Sequence, residues 1–294
     1  MKIRCLKHSE INFNKYNACI LTAYNTRIYG MSWYLNCVTN KDWEVLVLED
    51  YYAVMPLPFG RIKRKFFKRT ILQPMYTQQL GIFSLTELDS DTIQQFLDEF
   101  NTLKPYVYHF NSENTARITS KLELRNNYEL KLNISYSDIQ KNYSKNTIRN
   151  LKKAFKNELF LTNEITIEDF IRMKNNNKKH SIKKKQRELM SQLIQQIIAQ
   201  KKGNFYGVKK EKQLIAIAFI IETETRLIHL FSASTALGKQ TGATFFLFDN
   251  IIQKNTNSEL IFDFEGSMIE GVAKFFKSFG AKNNIYLKLD NSNA

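Results

Sequence analysis

Asp263 and Glu265 close a short apolar, β-prone run, Leu260–Phe264, and Gly266 breaks the chain just after them. Carboxylates at a strand end sit where α/β sheets usually carry ligands. In a partly dry cleft a carboxylate holds its proton more tightly than in water, which suits a proton acceptor for an attacking amine. The same groups could instead tie down a loop by hydrogen bonds. If the strand persists through both, its alternation puts Asp263 and Glu265 on one side. Ser267, with Glu270 three residues on, reads as a capping box. The helix it would open carries Val272, Phe275, Phe276 and Phe279 at helical spacing and stops at Gly280, a left-handed C-terminal position. A strand thus delivers two acids to a helix N-terminus, where the dipole and free N–H groups favour an anion. Lys277 is the cation expected to stabilise charge on a substrate, with Phe275 and Phe276 beside it. The plainer reading is core phenylalanines and a solvent lysine.

A second candidate site is the segment 232–243, Ser-Ala-Ser-Thr-Ala-Leu-Gly-Lys-Gln-Thr-Gly-Ala, between a strand and a helix. Ser234, Lys239, Gly242 and the backbone N–H groups around them could face a pyrophosphate, or form a glycine-rich turn entering a helix. The chain has no GxxxxGK[ST], no GxGxxG and no GxSxG, so P-loop, dinucleotide and serine-elbow chemistries are not indicated. Its four histidines are scattered. Its three cysteines (Cys5, Cys19, Cys37) lack CxxC spacing. Neither a metal site nor a disulfide framework is expected, and a reducing cytoplasm is the expected compartment.

The net charge is +15 over 294 residues. Between Asp138 and Lys212 there are 19 Lys+Arg against 7 Asp+Glu. Such a concentration attracts phosphate: nucleic acid, a nucleotide-linked substrate or an anionic membrane surface. Arg149 and Lys152 lie in this belt, on a helix read over Ser135–Asn157 with Ile139, Tyr143, Ile148, Leu151 and Phe155 as its apolar positions. They could grip phosphate, Arg in bidentate fashion and Lys as a point charge, or form a solvated face. No apolar run approaches the ~20 residues that span a bilayer, and Met1–Glu10 lacks the apolar core of a secretory signal. An apolar fraction of 43% argues for a folded chain.

The elements that must position these groups read as two layered sets. The first has a helix over Glu10–Ala23, a hairpin of Trp43–Glu49 and Tyr51–Leu57 ended by Pro56 and Pro58, and a strand over Phe66–Leu72 after a basic loop at 60–65. An amphipathic helix, Asp89–Asn101, and strands Tyr106–Phe110 and Tyr128–Ile134 complete it. Trp33, Tyr34 and Tyr76 add aromatics to this half. The second set runs strand Leu159–Thr162, helix Ile167–Asn175, a polar loop at 175–185 and helix Gln186–Lys202. There follow hairpin Asn204–Lys209 and Gln213–Glu222, strand Arg226–Ser234, helix Thr241–Lys254, the Leu260–Ala281 unit and a last strand, Ile285–Leu289.

Asp-Phe-Glu-Gly-Ser at 263–267 with Gly-Val-Ala-Lys-Phe-Phe-Lys-Ser-Phe-Gly-Ala at 271–281 resembles the C-terminal signature of the FemABX aminoacyltransferases and their GNAT-type acyltransferase relatives. Tyr143–Ala154, with Arg149, resembles that family's junction between two GNAT-like halves. The resemblance implies an α+β fold of two tandem GNAT-like α/β domains, with mixed, mostly antiparallel sheets flanked by helices, here 1–134 and 135–294. It implies an N-acyltransferase that moves an aminoacyl group from aminoacyl-tRNA to an amine of a peptidoglycan-precursor-like acceptor, with no permanently bound cofactor. An acyl-CoA-dependent enzyme on the same scaffold is the alternative, although the glycines at 238 and 242 are spaced unlike the usual coenzyme A loop. A non-catalytic RNA- or anion-binding protein is the third.

Overall fold

The computed structural model describes residues 2–62, 68–119, 122–176 and 183–292. The chain divides into unit 1 (Met1–Asn126 with Ile285–Ala294) and unit 2 (Asn127–Asn284).

Unit 1 contains β1 (Ile3–Leu6), α1 (Phe13–Thr22), α2 (Ser32–Thr39), β2 (Trp43–Leu48), β3 (Ala53–Ile62), β4 (Lys68–Ile71), β5 (Phe83–Ser84), α3 (Ser90–Thr102), β6 (Val107–His109), α4 (Ser112–Thr115) and β7 (Glu123–Arg125). One sheet runs β1-β2-β3-β4, with β5 also on β3. β3 continues through Pro56 and Pro58 rather than ending there, because both carbonyls face away from β2. The Pro56 carbonyl accepts from the Tyr108 hydroxyl and the Pro58 carbonyl from the Leu72 N–H. The missing N–H groups therefore fall on the side of β3 away from β2, where among the described residues no strand is paired between the stretches joined to β5 and β4.

Unit 2 contains β8 (Tyr128–Lys131), α5 (Tyr136–Lys141), α6 (Lys145–Lys156), β9 (Phe160–Thr162), α7 (Ile167–Asn175), α8 (Lys184–Ala199), β10 (Gly203–Lys210), β11 (Gln213–Glu222), β12 (Arg226–Ser234), α9 (Ala236–Thr241), α10 (Ala243–Lys254), β13 (Ile261–Asp263), α11 (Glu270–Lys277) and β14 (Lys282–Asn283). Its sheet runs β14-β8-β13-β12-β11-β10-β9. Among the described residues of this sheet, only β12 and β13 pair in parallel. The core joins Phe248 of α10, Phe262 and Phe264 around β13, and Phe276 and Phe279 at α11.

Several sequence expectations change. The final strand, β15 (Tyr286–Asp290), does not join unit 2. It pairs with β6 and β7 in unit 1, and β8, read as part of the first half, pairs with β13 and β14 in unit 2. The chain therefore divides after Asn126 instead of 134. The single helix over 135–157 is two, with Ser135 capping α5 and Ser144 capping α6 by accepting the N–H of Asp138 and Thr147. Phe155, expected on its apolar face, is exposed. β1, α4, β7 and β14 had no expectation, each having too few residues to show a period. Of the loops read at 60–65 and 175–185, residues 63–65 and 177–182 lie outside the described residues.

Candidate active site

β12 and β13 pair over only three registers: Arg226 with Ile261, Leu227 with Phe262 and Ile228 with Asp263. β13 then ends, while β12 continues to Ser234 on β11. Beyond Ile228 one edge of β12 is left without a strand, and a cavity of about 470 Å³ opens there. This is the carboxyl-end crevice in which open α/β sheets hold ligands. Its wall is apolar (Met173, Phe245, Val272, Phe275, Phe276), and its polar groups are Lys174, His229, Ser232, Ser234, Lys239 and Thr244.

His229 is the first residue past the last parallel pair. A β-bulge at this point of the β11–β12 ladder changes the strand's phase. His229 lies against Phe248 and Phe276, at ring distances of 4.8 and 5.9 Å, while Phe231 packs on Phe170 of α7. Both ring nitrogens of His229 are buried without a hydrogen bond of good geometry. Burial pushes its pKa down to about 4, the nearby Lys174 ammonium acts in the same direction, and the Phe264 backbone works weakly against them. The imidazole is therefore neutral at pH 7, with one nitrogen able to donate and the other to accept. Lys174 donates to the Ser232 carbonyl at 3.0 Å, and burial lowers its pKa.

The glycine-bearing segment folds as α9 and the turn at Gly242 that leads into α10. Thr235 caps α9 by accepting the Gly238 N–H. Gly242 takes φ +75° between α9 and α10, a conformation that β-carbons disfavour. A Cβ on Gly238 would stand 2.2 Å from the Ile215 carbonyl oxygen and 2.5 Å from Ser234 Oγ. Gly238→Ala is expected to cost roughly 1–3 kcal/mol by overpacking, read as a lowered urea midpoint. An unchanged midpoint would mean that α9 moves freely.

Of the residues expected at a site, Ser234, Lys239, Gly242, Phe275 and Phe276 converge on this cavity. Asp263, Glu265 and Lys277 do not line it. Asp263 is fully buried; one oxygen accepts from Arg226 at 3.1 Å and the other from the Glu265 N–H at 2.9 Å. The strand stops at Asp263 and Glu265 has φ +58°, so the two carboxylates do not share a strand face. Lys277 borders a neighbouring groove of about 600 Å³ with Ser144, Asn146 and Lys274, and its ammonium lies 5.5 Å from the centre of the Tyr128 ring. The two spaces share Phe245, Gly271 and Phe275. Ser267 does not cap α11. Its hydroxyl accepts from Ile269 N–H within a turn, Ile269 is the N-cap, and Glu270 pairs with Lys274 instead. Gly280 does take the expected left-handed conformation, φ +81°. Arg149 and Lys152 line a separate groove on α6 that shares no residue with the cavity.

His229 and Lys174 had no sequence expectation. The one available signal was a lone histidine inside the apolar run of β12, and Lys174 had none.

No protein-family model and no curated protein matches this chain. Its fold is similar to that of solved structures. FemX superposes with a TM-score of 0.66 at 9% identity, covering 97% of this chain and 96% of that one. The C-terminal domain of a putative lysylphosphatidylglycerol synthetase from Agrobacterium fabrum gives 0.59 at 10% identity, covering 97% and 93%. L-PGS from Bacillus licheniformis gives 0.56 at 9%, covering 96% and 92%. The chain thus has a fold similar to that of FemX, α+β with mostly antiparallel sheets. No helix among the described residues is long and apolar enough to cross a membrane.

Proposed function

We propose that the protein is an N-acyltransferase that moves an aminoacyl group from aminoacyl-tRNA to an amine of a peptidoglycan-precursor-like acceptor in the cytoplasm. The observation that carries this reading is the crevice where β12 outruns β13, walled by phenylalanines and holding a neutral histidine whose ring nitrogens are buried. The fold shared with FemX and with lysylphosphatidylglycerol synthetases supports the reaction class.

In such a transfer the acceptor nitrogen attacks the ester carbonyl carbon, the C–N bond forms, and the C–O bond to the donor ribose breaks. The amine's proton ends on the leaving ribose oxygen. A neutral imidazole has the acceptor and the donor that this proton's passage needs. Lys174 and Lys239 are the cations of the cavity, available to the developing oxyanion and to donor phosphate. Acyl-CoA as donor is the second reading, favoured by Ser234, Lys239, Gly242 and the N-terminus of α10 on the same cavity.

The test offers purified protein a charged-tRNA mixture or acetyl-CoA, each with the same pool of amine-bearing wall precursors, and follows product mass. Gain only with charged tRNA is the expected result; gain only with acetyl-CoA selects the second reading. Silence in both with tight tRNA retention makes the protein a binder and defeats the proposal. His229→Phe is expected to lower transfer by about a hundredfold or more without loss of thermal stability, since it replaces buried ring nitrogens that make no hydrogen bond of good geometry with an apolar ring among phenylalanines. Unimpaired transfer in this variant would remove His229 from the chemistry.

A further inference from the structure

We infer that α6 docks the protein on an anionic bilayer surface. The helix carries Lys145, Arg149, Lys152, Lys153 and Lys156 and no carboxylate. Lys145, Arg149, Lys152 and Lys156 follow one another by four, three and four residues, so they form one stripe along the helix, with Lys153 at its flank. All five are exposed. Among the described residues, none of them has a carboxylate within ion-pairing distance, and Arg149 bonds only the neutral Asn146 side chain. The opposite side of the helix, Thr147 and Ala154 with Ile148 and Leu151, packs on the core of unit 2. The charges are therefore not used in holding the fold.

A basic stripe alone would suit any polyanion. Phe155 favours a bilayer over a duplex. It is 85% exposed, the most exposed large apolar side chain among the described residues, and stands three residues from Lys152 and next to Lys156. Phe160 and Leu161 follow on β9, the edge strand of the sheet, and are also exposed. A duplex phosphate backbone gives a phenyl ring nothing apolar to enter. A bilayer interface gives both, headgroup phosphates for the lysines and the acyl boundary for the ring. Beside the stripe, a groove of about 790 Å³ bordered by Tyr143 and Ile148 leaves room for a headgroup. It shares no residue with the β12 cavity, so docking here leaves that cavity open.

The experiment is co-sedimentation of the full chain with sucrose-loaded phosphatidylcholine vesicles, with and without phosphatidylglycerol, across a range of salt, and needs no knowledge of any activity. Binding is expected only with phosphatidylglycerol and is expected to fade as salt shortens the Debye length. Phe155→Ser is expected to weaken it about tenfold, Phe155→Trp to preserve it, and K152E/K153E/K156E to abolish it. Every one of these positions is exposed, so the thermal midpoints should match wild type. Absence of phosphatidylglycerol-dependent binding overturns the inference, as does binding that Phe155→Ser leaves unchanged. Retention of structured RNA that the triple variant loses, with no vesicle binding, would make α6 a nucleic-acid face.

Discussion

Arg226→Met is expected to destabilise unit 2 by about 3–5 kcal/mol, the range for breaking a buried ion pair from one side. The Arg226 guanidinium lies 2.6 Å from Glu129 and 3.1 Å from Asp263, and the three side chains are 7%, 12% and 1% exposed. Further hydrogen bonds hold the two carboxylates. Glu129 also accepts from Asn127 and Asn284, each at 3.0 Å, and Asp263 from the Glu265 N–H. Removing the cation takes this charge away from two carboxylates on adjacent strands, β8 and β13. Adding Glu129→Gln and Asp263→Asn to Arg226→Met should recover much of the loss, because neutral partners need no cation. Urea unfolding followed by circular dichroism measures this. A midpoint for Arg226→Met close to wild type would show that water reaches the triad. Asp263→Asn alone separates structure from chemistry. A stability loss with normal turnover per folded molecule assigns Asp263 to holding β8, β12 and β13 together. A collapse of turnover in folded protein restores it as a reacting group.

Acidification from pH 6.5 to about 4 is expected to weaken both units, through one histidine in each. Burial pushes His109 in unit 1 and His229 in unit 2 down to about 4, against an ordinary value of 6.5. At pH values between these limits the unfolded chain takes a proton that the folded site excludes, so stability falls as pH falls. The contribution is fully present above pH 6.5 and gone by about 4. At 1.36 kcal/mol per unit each histidine accounts for roughly 3 kcal/mol. Asp249, raised by burial, works in the opposite direction in unit 2. The carboxylates held low by hydrogen bonds, Asp89, Asp138 and Asp169, lose their contribution only below this window. Unfolding free energies at pH 7 and pH 4.5 check the slope. His109→Gln and His229→Phe should each flatten it; an unaltered slope in the double variant would place the acid sensitivity elsewhere.

Local periodicity determined much of this protein. The bounds of α7 and β12 follow from amphipathic and apolar runs that act within a few residues, and Gly280 takes the left-handed turn its position asked for. The segment at 232–243 and the phenylalanines of α11 meet in one cavity because a strand end and the following helix ends must lie near each other. What the sequence could not fix depends on partners far along the chain. β15 follows unit 2 in sequence but completes a sheet of unit 1, since pairing is set by which edge is open and its alternation fits either. Asp263 looks like a reacting carboxylate until Arg226, 37 residues earlier, is folded against it. His229 looks like one polar residue in a buried strand. It becomes the centre of a crevice only because β13 stops at Asp263, the bulge turns the strand, and Phe248 and Phe276 close over its ring. Charge state and accessibility belong to the packed environment, and only tertiary structure assembles that environment.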